Sequence, residues 1–327
     1  MSVVTFLLPA PARFGAQRWL PDVARALGRA DVATQTPGRR AQLARHVDLP
    51  DGSWPLAALS RQLDAGDAGA ADTAWLRADP AWLRPDINGV RLMAHGDSLG
   101  VSADDCAALL PVLQEMFADA GFELDAPVPA RWYLRLPRDT RLPAFPDPSD
   151  ALGTDLSEFE DASPDARRWR ALGSEAQILL HNHPWNAARA AAGRPPINAL
   201  WFWGGGTLPE ARAGTAAAPP QVYTDDATLH ALAAGAAGAA GAAGAQALPS
   251  RWPELEPGAA ALFDLSALRD LRQLQTDWLQ PALAAMKRGR IAALTLDDED
   301  GGVFALRRWH RLRMWRAPRT PAAADPS

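Results

Sequence analysis

The residues best suited to chemistry in this chain lie close together, within residues 175–209. Three consecutive glycines follow a short apolar run there, and glycines let a backbone approach an anion closely and point its N–H groups at it. Arginine and asparagine side chains just before the glycines could hold a phosphate or a carboxylate. We therefore predict a small-anion site with these candidate ligand-binding residues: His183, Asn186, Arg189, Asn198, Trp203, Gly204, Gly205 and Gly206.

A structural role for the same segment is the alternative, and the residue pattern favours it. Asn186 and Asn198 are of the type that satisfies the backbone of buried turns, so the segment would hold a domain junction together. No Gly-Lys-Ser/Thr sequence follows Gly206, and the glycines therefore do not form a P-loop. The sequence leaves open whether a ligand binds.

Histidines and carboxylates elsewhere predict no catalytic set. His181 and His183 could supply two metal ligands, but no third ligand of matching spacing is evident, and a structural role is favoured. His95 precedes an aspartate and a serine, yet helix capping explains Asp97 and Ser98 equally well. We therefore predict no catalytic residue, no metal site and no cofactor.

Composition restricts the class of protein. The 327 residues are 48% hydrophobic and 22% charged, as in globular proteins, and the formal net charge of −5 argues against a dedicated nucleic-acid binder. A single cysteine, Cys106, excludes a disulfide framework and a multi-cysteine zinc site. No run approaches the roughly 18 apolar residues that cross a bilayer, and no signal peptide is evident. We expect a cytoplasmic protein without membrane contact.

The candidate residues must be positioned by α/β elements. Residues 3–8 predict the first strand of a sheet, and residues 197–203 predict a short strand that ends at the glycines. A strand–helix–strand–strand pattern at about residues 88–137 predicts a small subdomain, followed by a linker rich in proline and aspartate. We predict a mixed α/β fold with a discontinuous core (residues 1–87 and 171–316), an inserted subdomain (residues 88–170) and a disordered tail (residues 317–327).

Two further segments have unusual composition. Residues 303–315 alternate basic and apolar side chains, which suits an edge strand, with contact to a polyanion as the alternative. That strand is joined to a preceding one, residues 291–296, by acidic residues and glycines typical of a hairpin. The Ala/Gly repeat at residues 233–245 has no bulky side chains and predicts a mobile loop or an insertion, whose role the sequence does not give.

Three stretches resemble a proteobacterial family, the RpfE-type regulatory proteins, often labelled cofactor-independent phosphoglycerate mutase-like. They are ADPAWLRPD, SADDCAALLPVLQEMFADAGFELDAPVPARWYLRLP and, most specifically, LLHNHPWNAARAAAGRPPINALWFWGGGTLP, together about residues 74–209. The same stretches are more distantly similar to archaeal-type cofactor-independent phosphoglycerate mutases of the alkaline-phosphatase superfamily. The positions that match that family's motif are His183, Pro184, Asn186, Arg189, Gly193, Asn198, Trp203, Gly204 and Gly206. The resemblance implies an alkaline-phosphatase-like mixed sheet core flanked by helices, with an inserted small α/β subdomain.

The chain departs from the active members of that superfamily where they hold their metals. Those members have an Asp-Gly motif after the first strand, a Ser or Thr nucleophile, and a C-terminal Asp/His set for two metal ions. Here the first strand ends in Leu7-Leu8-Pro9, without a carboxylate. Two-metal phosphoryl transfer needs ligands that hold ions roughly 4 Å apart, so mutase activity is not expected.

The resemblance and these departures together imply a catalytically degenerate phosphoglycerate mutase-like protein. It would act as a cytoplasmic regulatory or protein-interaction module and could bind a phosphorylated or carboxylated metabolite. The alternative is a phosphotransferase or phosphoglycerate mutase with a differently built active site. Genes of such proteins often lie beside the gene for a RecJ-type exonuclease, so the resemblance suggests a protein partner in DNA processing, without strong direct nucleic-acid binding.

Overall fold

The computed structural model describes residues 3–47, 54–66, 73–87, 89–159, 161–209, 220–237, 245–255 and 260–319. The chain forms two compact units, unit 1 with Met1–Pro50 and Ala211–Ser327, and unit 2 with Asp51–Glu210. These boundaries differ from the predicted ones. Residues 73–86 pair with residues 199–206 on one side and, on the other, with residues 131–137, which belong to the predicted insertion. The mixed α/β architecture predicted from the sequence is confirmed.

The described residues contain eleven strands and ten α-helices. The strands are β1 Val3–Leu8, β2 Asp31–Thr34, β3 Thr73–Asp86, β4 Gly89–His95, β5 Glu123–Val128, β6 Arg131–Pro137, β7 Ala199–Gly206, β8 Gln221–Tyr223, β9 Ala261–Asp264, β10 Ala293–Asp298 and β11 Gly302–Arg307. The helices are α1 Pro21–Gly28, α2 Arg39–Ala44, α3 Leu56–Ala65, α4 Ala103–Asp119, α5 Pro148–Ala151, α6 Pro164–Asn182, α7 Pro184–Ala191, α8 Ala227–Ala237, α9 Leu271–Gln273 and α10 Gln280–Lys287.

A six-stranded mixed sheet lies at the centre of unit 1, in the order β2-β11-β10-β1-β9-β8. Strands β8, β9, β1 and β10 are parallel, whereas β11 and β2 pair antiparallel. The register places Leu7 beside both Asp264 and Asp297, and Leu8 beside Asp298. Because the four parallel strands point the same way, these aspartates meet at one edge of the sheet.

The core of unit 1 forms where helices α1, α9 and α10 pack on this sheet. Phe6 of β1 is fully buried, and its ring meets those of Phe263 and Trp278 edge-to-face at 5.8 and 5.9 Å. A π-helical turn, Leu274–Leu279, joins α9 to α10 just before Pro281. Proline has no N–H to donate, so the α-helical hydrogen bonding is interrupted there by the wider turn.

Unit 2 is built on an antiparallel sheet in the order β4-β3-β6-β5, with β7 also paired to β3. Alternate residues of β3 face opposite sides. Leu76 belongs to the larger core, together with Trp132 and Trp169, whereas Trp75 packs with Tyr133 and the start of α3 on the other side. The three glycines therefore lie at the end of an antiparallel strand.

Three predictions near the C-terminal half need correction or lie outside the described residues. The predicted strand of residues 303–315 ends at Arg307, since β10 and β2 offer no further backbone to pair with, and a 3-10 turn, Arg308–Leu312, follows. Residues 317–319, predicted as disordered, are placed on α1, where the Arg319 N–H donates to the Ala24 carbonyl at 2.9 Å. Residues 233–237 of the Ala/Gly repeat, predicted as a mobile loop or an insertion, belong to α8, whereas residues 238–244 of the repeat and residues 320–327 lie outside the described residues. No helix in the described ranges is long and apolar enough to span a membrane.

Candidate functional site

The predicted site residues occupy the turn between α6 and α7 and the approach to β7. His183 is the C-cap residue of α6 and the N-cap residue of α7, and its Nδ1 accepts a hydrogen bond from the Trp185 N–H at 3.3 Å. Pro184 stands in the first turn of α7, where a missing N–H costs nothing. His181 is exposed on α6. Of the two histidines, His183 has a structural role as a helix cap, and His181 lies on the surface.

Arg189 is buried and binds three groups of unit 2. Its guanidinium donates to the Asp105 carboxylate at 2.6 Å and to the carbonyls of Leu99 and Pro195 at 3.0 and 2.9 Å. Asp105 is the third residue of α4, and it also accepts from the Trp185 indole at 2.7 Å. Burial alone would raise the pKa of Asp105, but the hydrogen bonds from Trp185, the Ser102 backbone and Arg189 hold it well below its usual range.

The two asparagines bind the backbone on either side of them. The Asn186 amide donates to the carbonyls of Leu180 and Ile197 at 2.8 Å each and accepts from the Ile197 N–H at 2.9 Å. The Asn198 amide pairs with both backbone groups of Leu83 at 2.8 Å, which fixes the start of β7 beside β3. Both side chains satisfy buried backbone groups, as the structural alternative predicts.

A polar network lies under Trp203 on the α3 side of the sheet. The Trp203 indole donates to Asp79 at 2.7 Å, and Asp79 forms a bidentate pair with Arg77 at 2.8 Å for both bonds. The Tyr133 hydroxyl donates to Asp64 and lies 3.0 Å from the Ser60 hydroxyl. Burial raises the pKa of Tyr133. Arg77 and Asp79 form a buried ion pair.

Close packing accounts for the glycines at the end of β7. A Cβ atom on Gly204 would lie 3.0 Å from the Leu56 Cβ, and one on Gly206 would lie 2.7 Å from the Pro55 Cβ. Both glycines also have positive φ angles, +66° and +152°. Larger residues would therefore push β7 away from the start of α3. The structure gives each predicted side chain an internal partner, and their binding of a ligand stays a prediction.

A second cluster, which the sequence did not predict, lies in unit 1 at the carboxyl ends of the parallel strands. We call it the carboxylate edge: Asp264, Asp297 and Asp298, with Arg39, Arg45 and His46. In open α/β sheets ligands bind outside the carboxyl ends of parallel strands, so this is the position at which the fold itself predicts a site. All three aspartates are at least nine-tenths buried.

Arginines neutralise two of these three carboxylates. Arg39 binds Asp264 at 2.7 Å and Asp226 at 3.1 Å, and Thr224 donates to the same Asp264 carboxylate at 3.0 Å. Arg45 forms a bidentate pair with Asp297 at 2.6 and 2.8 Å, and His46 Nε2 lies 2.7 Å from that carboxylate. Burial would raise the pKa of Asp297, but the hydrogen bonds from Arg45 and His46 lower it overall.

Asp298 differs from its neighbours on the carboxylate edge. It accepts a hydrogen bond from the Gly302 N–H at 2.7 Å, and no cation of the described residues lies within ion-pair distance of it. Burial raises the pKa of Asp298 to about 6, and the nearby charges of Asp300 and Asp297 add to the shift. The group therefore keeps its proton to a higher pH than an ordinary aspartate, up to about pH 6.

The donor set of the carboxylate edge does not fit two catalytic metal ions. Guanidinium groups occupy the oxygens of Asp264 and Asp297, and β1 contributes only Leu8 and Pro9 between them. No group of three or more His, Cys, Asp or Glu side chains within the described ranges is arranged to hold a metal. His95 and Ser98 also form no dyad, because the Ser98 hydroxyl bonds to the His95 backbone at 2.7 and 3.0 Å.

A sequence signal for the carboxylate edge did exist. Asp264 and Asp297 each directly end an apolar run, ALFD and ALTLD, and such positions meet when the strands are parallel. The acidic run after residue 296 was assigned to a hairpin alone, which it also forms. Arg39 and Arg45 gave no signal, because their partners lie more than 200 residues away.

Comparisons with known proteins find only local sequence similarity, to phosphoglycerate mutases. No family model matches the chain. A 62-residue segment is 34% identical to a probable 2,3-bisphosphoglycerate-independent phosphoglycerate mutase of Geobacter sulfurreducens, and equally to the 2,3-bisphosphoglycerate-independent phosphoglycerate mutase of Methanothrix thermoacetophila. The segment covers 19% of this chain and only 16% of either relative.

Solved structures of low sequence identity cover most of the chain. The cofactor-independent phosphoglycerate mutase from Thermoplasma acidophilum gives a TM-score of 0.40 at 15% identity, over 93% of this chain and 89% of that one. The PH0037 protein from Pyrococcus horikoshii gives 0.41 at 10% identity, over 94% and 87%. The similarity to phosphoglycerate mutases is therefore limited to the 62-residue segment, and the assignment to the RpfE-type proteins stays a prediction.

Proposed function

We propose that this chain is a phosphoglycerate mutase-like protein without mutase activity, which acts as a cytoplasmic regulatory or protein-interaction module. The observation that carries the proposal is the pairing of Arg39 with Asp264 and of Arg45 with Asp297 on the carboxylate edge. A guanidinium group cannot act as a Lewis acid or activate water, so it supplies charge balance without the chemistry of a metal ion.

The mutase reaction is the direct test. The full chain is assayed for interconversion of 3- and 2-phosphoglycerate with Mn²⁺, Mg²⁺ or Co²⁺, beside an active phosphoglycerate mutase as the positive control. We expect no turnover above the protein-free rate, and titration calorimetry with Mn²⁺ is expected to show no stoichiometric binding. Metal-dependent turnover that is lost in Asp264→Asn or Asp297→Asn would refute the proposal and support the alternative, a phosphotransferase with a differently built site.

Binding of a phosphorylated or carboxylated metabolite at the central segment is the second part of the proposal. The motif resemblance is the support for this part. The contacts of Arg189 and Asn198 do not add to it, because both side chains bind groups of unit 2. Thermal shift against phosphorylated metabolites measures it, because a ligand at 100 times its Kd stabilises by about 2.7 kcal/mol. If no metabolite raises the melting temperature, the interaction role alone remains.

A protein partner follows from the same resemblance, which suggests a RecJ-type exonuclease. Biolayer interferometry between the two purified proteins tests this pairing. Binding in the micromolar range or tighter supports it, and absence of binding at the highest soluble concentration removes this partner. The mutase assay does not depend on that outcome, so the two parts fail separately.

A further inference from the structure

Residues 307–316, which follow β11, are held by hydrogen bonds to residues 29–31. Arg313 donates to the Arg29 carbonyl at 3.1 Å and to Asp31 at 2.5 Å, and Arg316 donates to the Ala30 carbonyl at 2.6 Å. The Arg29 guanidinium in turn donates to the Arg311 carbonyl at 3.1 Å. The side chains of Arg313 and Arg316 thus bind the segment to the residues at the start of β2.

Four large apolar side chains of the same segment point into solvent. Trp309, Leu312, Met314 and Trp315 are 50%, 66%, 77% and 79% exposed. In a 3-10 turn, residues three apart lie above one another, which places Trp309 and Leu312 on one side. Isolated exposed apolar residues are ordinary, but four within seven residues form a patch that indicates an interaction surface.

Three further arginines of the segment are exposed and have no internal partner. Within the described residues, no carboxylate lies within ion-pair distance of Arg307, Arg308 or Arg311. Residues 303–319 contain no acidic residue, although the whole chain has a net charge of −5. The surface therefore combines protruding apolar groups with concentrated positive charge, and its occupant must be both apolar and anionic.

Each class of occupant makes a different demand on this surface. Single-stranded nucleic acid would stack on aromatic faces, but Leu312 and Met314 cannot stack, and Arg313 lies over the Trp309 ring at 4.5 Å. A stable protein interface buries about 800 Å² on each partner, whereas four side chains on a short convex turn offer only several hundred Å². A lipid surface needs no matching shape, and tryptophan and arginine are the residues that prefer its interface.

We propose that residues 307–315 bind the surface of an anionic phospholipid membrane, with Trp309, Leu312, Met314 and Trp315 at the acyl boundary and Arg307, Arg308 and Arg311 at the headgroups. This is a peripheral contact, which differs from the membrane span that the described helices do not provide. It differs from the expectation, drawn from the sequence, of a protein without membrane contact. It does not depend on the presence or absence of mutase activity.

Sedimentation with vesicles tests the proposal on the full chain. Sucrose-loaded phosphatidylcholine vesicles with about one third phosphatidylglycerol are compared with pure phosphatidylcholine vesicles. Three arginines near an anionic surface are expected to raise the partition constant about 100-fold over the neutral vesicles. The variant Arg307→Glu/Arg308→Glu/Arg311→Glu is expected to lose this gain, and Trp309→Ser/Trp315→Ser to lose at least tenfold.

A matched charge variant separates local recognition from net charge. Arg18→Glu/Arg251→Glu/Arg272→Glu changes the net charge equally at exposed arginines elsewhere in unit 1, and binding is expected to stay within about twofold. Circular dichroism checks that every variant is folded. Failure of the anionic vesicles to bind the chain, equal loss in the matched variant, or preference for a single-stranded oligonucleotide over the vesicles would each overturn the proposal.

Discussion

Truncation of Arg189 separates a structural role of the central segment from a ligand-binding role. Arg189→Ala would leave the buried Asp105 carboxylate without its 2.6 Å partner and the carbonyls of Leu99 and Pro195 without a donor. Breaking a buried ion pair by removing one partner costs about 3–5 kcal/mol, and the remaining bonds from Arg194, Trp185 and Ser102 to Asp105 place this change at the lower end of that range. We expect the free energy of unfolding of unit 2 to fall by that amount.

Arg194 offers a matched control, since it binds the same Asp105 carboxylate from a side chain that is 36% exposed. Arg194→Ala is expected to cost less than about 1 kcal/mol, as for exposed pairs. Because the chain has two units, hydrogen exchange of peptides from α4 and α7 is the appropriate measurement, with urea unfolding beside it. Unchanged exchange in Arg189→Ala, combined with lost stabilisation by a metabolite, would refute the structural reasoning and assign Arg189 to a ligand.

Three further predictions concern other contacts. Asp298, whose pKa is raised to about 6, keeps its proton between pH 4 and 6 in the folded chain while the unfolded chain has lost it, so stability falls as pH rises through that window. Asp298→Asn is expected to remove this fall and gain up to about 2 kcal/mol above pH 6 in urea titrations. Gly206→Ala is expected to lower the free energy of unfolding by about 2 kcal/mol. Gly153→Ala is expected to lower it by about 1 kcal/mol, because Gly153 also has a positive φ but no atom lies within 4 Å of an added Cβ. Arg45→Ala is expected to cost about 3 kcal/mol in unit 1, whereas Arg13→Ala, from an exposed pair with Glu299, should change unfolding by less than about 0.5 kcal/mol.

The sequence predicted those features that depend on neighbouring residues. Residues 3–8 and 197–203 have the short apolar pattern of buried strands, and both form strands, as β1 and β7. The capping box of Ser102 and Asp105 at the start of α4 likewise depends only on residues three apart in the chain. Local propensity and pattern were sufficient there, since the deciding contacts lie within a few residues.

Features that depend on distant pairing were not predicted. The unit boundaries follow from β3 pairing with β7 across more than 100 residues, and no local signal marks that choice. The partners of the candidate residues were missed for the same reason: Asp105 precedes Arg189 by 84 residues, and Asp79 precedes Trp203 by 124. A residue type shows what a side chain can bind, but the fold decides which group it meets.

Both candidate sites contain arginine–aspartate pairs with a buried carboxylate, and these pairs give the proposed function its physical basis. They link Arg189 with Asp105 in unit 2, and Arg39 with Asp264 and Arg45 with Asp297 in unit 1. A guanidinium group stays charged at every physiological pH and can hold a carboxylate through two parallel hydrogen bonds, as Arg45 holds Asp297, which lysine cannot do. Carboxylates held in this way keep the edge of a parallel sheet electrostatically balanced without a metal ion. The carboxylate edge can therefore keep its shape in a protein that performs no phosphoryl transfer, which is what an interaction module built on this fold requires.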